Sequence, residues 1–233
     1  MRDRMEALFL SAASCDDFFM EFMGRWIVGI DEVGRGALAG PVVVAAAAIP
    51  RGLTIRNAEL GALKDSKKLT AKQREAWDGY LNNHPDIHFA LARVYPRQIE
   101  KQNISRAANI AAERAFGRLF AITGKSGNNK IRTSTKTSVF LDGGLFLGNG
   151  TRRQKAKTVI KGDEKISAIK IASIIAKVYR DRLMRRLGKK YPQYNFEIHK
   201  GYATLLHRTA IKKHGPSTAH RLTFLGKSVI MRP

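Results

Sequence analysis

The sequence has a single cysteine, Cys15, among its 233 residues. That excludes an internal disulfide framework and any zinc site built from several cysteines, and a reducing, cytoplasmic setting is the expectation. Long hydrophobic runs are missing as well. The longest, Ala37 to Ile49, is about a dozen residues and is broken by Gly40-Pro41, too short to cross a bilayer, so no membrane association is expected. Acidic residues are scarce, with 19 Asp and Glu against 42 Lys and Arg and a formal charge of +23. The shortage is uneven: residues 151–233 hold 21 basic and 4 acidic side chains, and residues 1–150 hold 21 and 15. A chain so cationic in its last third is expected to meet a polyanion, and nucleic acid is the first candidate because basic side chains displace the counterions of each phosphate. On charge alone, a solvated basic surface or a ribosomal-type structural protein stays open.

The rest of the composition, 44% hydrophobic and 26% charged, is that of a folded globular chain. Residues 1–24 contain Ala7-Leu8-Phe9-Leu10, but this core is short and Asp3 and Glu6 stand where a secretory leader carries positive charge. They read as an extension of short amphipathic helices. One domain is expected over residues 25–190 and a helical, basic region over 191–233. Trp26-Ile27-Val28-Gly29-Ile30 and Pro41 to Ala47 are apolar runs joined by a glycine-containing turn, which predicts a hairpin. Thr70, with Gln73 three residues on, predicts a capping box and a helix to Leu81. A helix is predicted from Arg97 to Ala121, with Ile99, Asn103, Ile104, Ala107, Ala108, Ala111, Ala115 and Leu119 on one stripe. Strands follow at Thr137–Leu141 and Thr158–Ile160, then a long helix over Ile166–Leu187 and another over about Tyr202–Lys213. Strands mixed with helices predict an α/β fold.

Acids recur where strands are predicted to end: Asp31-Glu32, Asp142 and Asp163. Four such carboxylates together would repel and raise one another's pKa unless cations neutralise them. An oxygen-only donor set favours Mg²⁺ or Mn²⁺. Two such ions about 4 Å apart can activate a water and stabilise a leaving oxygen in phosphoryl displacement. Neighbouring strand residues point to opposite faces, so Asp31 and Glu32 share a site only if the strand ends early or bulges before the Gly34-Arg35-Gly36 turn. Taken singly, each acid is more simply an ordinary loop-edge residue. Two other motifs carry nothing. Gly124-Lys125-Ser126 has Leu119 where a phosphate-binding loop needs its first glycine, and His199, His207, His214 and His220 match no standard zinc spacing.

Ile30-Asp31-Glu32-Val33-Gly34-Arg35-Gly36-Ala37-Leu38-Ala39-Gly40-Pro41 resembles the opening signature of bacterial ribonuclease HII. Asp65-Ser66-Lys67-Lys68-Leu69, Asn103-Ile104, Asp142-Gly143, Lys161-Gly162-Asp163-Glu164-Lys165 and Ala172 to Asp181 resemble its later blocks, in order. So do Lys200-Gly201-Tyr202-Ala203-Thr204 and His214 to Arg221, and the resemblance spans about residues 25–224. It implies an RNase H-like mixed five-stranded sheet flanked by helices, with a helical, basic C-terminal region. It also implies metal-dependent hydrolysis of the phosphodiester 5′ to a ribonucleotide, in RNA–DNA hybrids and at single ribonucleotides in duplex DNA, leaving 3′-hydroxyl and 5′-phosphate ends. The catalytic, metal-holding acids would be Asp31, Glu32, Asp142 and Asp163, with Mg²⁺ or Mn²⁺ as the ions.

The resemblance assigns substrate binding to Gly34, Arg35, Gly36, Lys67, Asn103, Lys165 and Tyr202. The glycines would let backbone groups approach a ribose closely, and Tyr202 would stack on the sugar after the ribonucleotide. Asp181 falls in a matching block outside the acid quartet and is expected to form a helix-surface ion pair with an arginine. The Ile166–Lys170 stretch and the basic 124–136 insertion depart from the family pattern. The chain is expected to act as a monomer, and its residues leave open whether a replication clamp binds the C-terminus. The rival readings are a catalytically silent nucleic-acid-binding protein, which has no need of four clustered acids, and another RNase H-like nuclease such as a resolvase, which has no need of the turn and Tyr202.

Overall fold

The computed structural model describes residues 26–123, 137–148 and 156–226. The expected N-terminal helices, the 124–136 insertion and Gly124-Lys125-Ser126 lie outside them. Seven strands are present among these residues: β1 (Trp26–Val33), β2 (Val42–Pro50), β3 (Arg56–Asn57), β4 (Gly61–Ala62), β5 (His88–Val94), β6 (Thr137–Asp142) and β7 (Ala156–Val159). The helices are α1 (Ala71–Asn83), α2 (Pro96–Gln102), α3 (Ile104–Thr123), α4 (Gly162–Lys165), α5 (Ser167–Lys190), α6 (Phe196–His199) and α7 (Leu205–His214). Five strands form one mixed sheet in the order β5-β2-β1-β6-β7. The β1–β2 and β2–β5 pairs are antiparallel, and the β1–β6 and β6–β7 pairs are parallel. None of the described helices is long and apolar enough to cross a membrane.

Helices cover both faces of this sheet, which is why β2 reads as an unbroken apolar run and not as an alternation. Val28, Ile30, Val42, Val44 and Ala46 face α3 and meet Ala107, Ala108, Ala111, Ala115 and Leu119. Val43, Ala45, Ala47 and Ile49 face the other way, toward Trp77 and Leu81 of α1 and Ile171, Ala172, Ile175 and Val178 of α5. Small side chains permit close approach, most of all at Gly29, where a Cβ would collide with the backbone of Ala168 at the start of α5. That contact fixes α5 against β1 two residues before Asp31. A third, smaller core joins Leu38 and Ala39 to Met184, Tyr194, Phe196, Ile211 and Ala219. The C-terminal segment is thereby packed on the chain that follows β1.

The hairpin and the capping box at Thr70 form as expected, the Thr70 and Gln73 side chains exchanging bonds with each other's backbone amides. The single helix predicted from Arg97 to Ala121 is instead two. Asn103 adopts a left-handed φ of 62° and its side chain accepts from Arg106 N, so it ends α2 and caps α3. It is exposed, not part of the buried stripe. Strand β5 was missed in the sequence, although Ala90, Ala92 and Val94 alternate inward along it. The last predicted helix starts at Leu205, capped by Thr204, which leaves Tyr202 in the turn before it.

Candidate active site

The antiparallel register of β1 on β2 runs unbroken to Val33 opposite Val43. The strand therefore neither ends early nor bulges at Glu32, contrary to the geometry a shared site was expected to need. The parallel pairing of β1 with β6 does stop early, at Ile30 opposite Leu141. Past that point β1 has an open edge, and Asp142, one residue beyond Leu141, stands next to it. Asp31 takes the α5 face and is hydrogen-bonded to Ser173 and to the amide of Glu32. Glu32 takes the opposite face, where Arg35 Nη1 lies 3.4 Å from its Oε1. The open edge lets acids of opposite faces interact with one carboxylate.

Their electrostatics follow from this placement. Burial pushes the Asp31 carboxyl well up from its ordinary pKa, and the negative charges of Glu32 and Asp142 push it further. Glu32 is raised chiefly by burial, opposed by Arg35 and reinforced by Asp142. Asp142 Oδ1 accepts a 2.7 Å bond from Gly162 N, which ties the end of β6 to the segment carrying Asp163. Asp163 does not end a strand as expected. Lys161 turns the chain with a left-handed φ of 54°, and Asp163 sits in the first turn of α4. It is 2% exposed and accepts from Lys67 Nζ at 2.6 Å. Lys67 is held by Asp65, whose side chain caps the short 3-10 turn Ser66–Lys68, and Ser66 is hydrogen-bonded to Ser173.

Among the described residues, no three His, Cys, Asp or Glu side chains converge into a ready-made metal site. The donor set nonetheless fits a hard cation. Glu32 Oε2 is buried without a hydrogen-bond partner, an arrangement that is costly unless a cation completes it. Glu32 and Asp142 add to the cost of charging Asp31, Asp142 adds to that of Glu32, and Arg35 beside Glu32 offsets part of the latter. All the donors are oxygens, which suits Mg²⁺ or Mn²⁺.

Arg35 also donates to Gly144 O and Ser105 Oγ, so the turn after β1 reaches the start of α3 beside Asn103. Gly34 has a φ of 89° and is buried, whereas Gly36 is the exposed tip. Tyr202 is half-buried, its ring 5.4 Å from the Arg180 guanidinium carbon. Lys165 is exposed and donates to Ile160 O, with no bond to any of the four acids. Asp181 is buried, not on the surface, with Arg74 at 4.0 Å and its Oδ1 unpartnered.

The sequence model of the Ribonuclease HII family matches residues 28–227. The chain belongs to this family. It is 38% identical over 219 residues to the ribonuclease HII of Chlamydia caviae, covering 94% of this chain and 93% of that one. It is 40% identical over 200 residues to the ribonuclease HII of Chlorobium chlorochromatii, covering 86% and 89%. Its fold is similar to that of the RNase HII in a PCNA complex from Archaeoglobus fulgidus, with a TM-score of 0.65, 23% identity and coverage of 86% and 96%. It is also similar to Bst-RNase HIII solved with Mn²⁺, with a TM-score of 0.66, 19% identity and coverage of 91% and 71%. As a ribonuclease HII, the chain is a ribonuclease H type 2 endonuclease.

Within this ribonuclease HII, three buried polar side chains near the site were not singled out in the sequence reading. Ser173 interrupts the apolar stripe of Ile169, Ala172 and Ala176, and Arg180 lies on the same stripe between Ala176 and Met184. A polar residue on a buried helical face was the signal available for both. Arg221, on no periodic element, was marked only as the last residue of the family-like block from His214, with nothing to say what it holds.

Proposed function

We propose that this ribonuclease hydrolyses the phosphodiester 5′ to a ribonucleotide, in RNA–DNA hybrids and at single ribonucleotides embedded in duplex DNA. Asp31, Glu32, Asp142 and Asp163 would hold Mg²⁺ or Mn²⁺. The observation that carries this reading is the orphaned, buried Glu32 Oε2 beside Asp31 and Asp142 at the open edge of β1. The ions, when bound, supply an activated water and charge stabilisation for the departing 3′ oxygen. Cleavage of the P–O3′ bond leaves a 3′-hydroxyl on one fragment and a 5′-phosphate on the ribonucleotide.

The remaining chemistry belongs to the chain. The Gly34–Gly36 turn lets backbone groups approach the ribose without a Cβ at the tip, which is the distinction between RNA and DNA that the 2′-hydroxyl offers. Arg35, bridging Glu32, Gly144 and Ser105, sets that turn beside the acids and Asn103. Tyr202 offers a ring to the deoxyribose after the ribonucleotide. The basic residues of the last third would anchor the duplex backbone without reading its bases, and Lys67 and Lys165 would meet phosphates. A monomer on its duplex is the working unit.

The deciding experiment is incubation of a DNA duplex containing one ribonucleotide, with Mg²⁺ or Mn²⁺ and with and without chelator. A single cut 5′ to the ribonucleotide, suppressed by the chelator, is expected. Cleavage that persists in chelator, or cutting of the all-DNA control at the same rate, defeats the reading.

A further inference from the structure

Two arginines, Arg180 and Arg221, are each 0% exposed. Neither is hydrogen-bonded to a carboxylate of the described residues, the usual partner of a buried guanidinium. Among the described residues, every one of their hydrogen bonds goes to a backbone carbonyl. Arg180 donates to Pro41 O at 3.0 Å, Ala39 O at 3.1 Å and Lys200 O at 2.9 Å. Arg221 donates to Gly34 O and Arg35 O at 2.8 Å each, and to Gly40 O at 3.0 and 2.9 Å. Burial lowers the pKa of both, that of Arg221 to about 9 with Arg180 as the next cause. Burying each guanidinium carries a desolvation cost, which its hydrogen bonds to carbonyls offset.

We propose that Arg180 and Arg221 are positioning residues that lock the Gly34–Gly36 turn and Tyr202 into one rigid element for reading the ribonucleotide junction. The proposal rests on the function proposed above. Carbonyls of residues 34, 35, 39, 40 and 41 are all drawn inward onto the two guanidiniums, and the exposed tip at Gly36 is left facing solvent. Gly34 has no side chain because one would collide with Arg180. The same arginine continues to the Tyr202 segment: it bonds Lys200 O and lies over the Tyr202 ring. Backbone bonds complete the unit, with Leu38 N on Gly201 O, Gly40 N on Ala219 O and Arg221 N on Leu38 O, each 2.8 Å. A displacement of the turn is therefore carried to Tyr202. Only a planar fork with five donors serves carbonyls spread across two segments. An ammonium keeps the charge but not that geometry.

The test compares wild type, Arg180→Lys and Arg221→Lys on a duplex with one embedded ribonucleotide and on a continuous RNA–DNA hybrid, below each variant's melting temperature. The expected result is a KM for the embedded ribonucleotide raised by about ten-fold, with kcat on the hybrid changed by less than about three-fold. Equal losses on both substrates, or no loss on either, overturn the proposal. A second measurement needs no variant: the Nε–H resonances of both arginines in the wild-type protein are expected to exchange slowly with solvent. Rapid exchange of either overturns the clamp, even if the lysine variants fail to fold. A wild type that cuts neither duplex refutes the functional reading instead, and leaves the clamp to be judged by that exchange rate.

Discussion

Lys67 Nζ lies 2.6 Å from Asp163 Oδ2, an exposed ammonium seated on a carboxylate that is almost wholly buried. The ammonium occupies an acid that is also a candidate metal ligand, so lysine and metal compete for it. Lys67→Met is expected to bind Mn²⁺ about two- to five-fold more tightly in calorimetry without substrate, since an exposed pair is worth roughly 0–1 kcal/mol. Turnover should fall in the same variant if Lys67 also meets a phosphate. Weaker Mn²⁺ binding would show that the lysine supports the site and does not compete for it.

Asp142→Asn retains an oxygen to accept from Gly162 N, so the link between β6 and α4 survives. It removes a negative charge that burdens Asp31 and Glu32. The variant is expected to melt no lower than wild type, to bind duplex nearly as well, and to lose about a thousand-fold in kcat, several kcal/mol of metal-assisted stabilisation. Near-normal turnover would remove Asp142 from the ligand set.

Tyr202→Ala deletes the ring above Arg180 without touching the acids. Cleavage at a single embedded ribonucleotide should drop by more than cleavage of a long hybrid, by about ten-fold in the ratio, which is about 1.4 kcal/mol of discrimination. Parallel losses would place Tyr202 in general folding or binding.

His207 and His220 face each other Nε2 to Nε2 at 3.1 Å. His207 Nδ1 meets Tyr202 O and His220 Nδ1 accepts from Ser217 N, so each ring holds one proton. Burial brings both down to a pKa of about 4. A depressed folded pKa means that the unfolded chain takes up protons first on acidification. Their contribution is therefore complete above pH 6.5 and is lost between about 6.5 and 4. Urea unfolding across that range should give a steeper loss of stability for wild type than for His220→Gln, whose slope reports the removed proton. Identical slopes would contradict the neutral pair.

Duplex binding should weaken steeply with salt, since 21 basic residues after position 150 meet a phosphate backbone. Filter binding between about 50 and 200 mM salt is expected to show a loss of one to several orders of magnitude. A flat response would disconnect the charge from the function.

The parts of the fold that are local in sequence were legible: the hairpin, the Thr70 capping box and the stripe of α3 each arise from neighbours within a few residues. The break at Asn103 was not, because helical spacing passes through it and only a left-handed φ reveals it. At the site, the acids were visible as residue types, and the family resemblance placed them. The way Asp31 and Glu32 act together was not visible, since it depends on where β6 stops pairing with β1, a matter of chain separated by more than a hundred residues. The same distance hid Arg180 and Arg221, whose partners are carbonyls and leave no trace in residue identity.

Arg221 is bonded to carbonyls 181 to 187 residues earlier in the chain. During synthesis, β1 and β2 can pair long before that arginine exists, so the loop between them lacks these anchors until residue 221 has emerged. Contacts this remote in sequence are the slowest to close. On the proposed role of the turn, the strand edge carrying Asp31 and Glu32 forms well before the loop that would read the ribose is anchored.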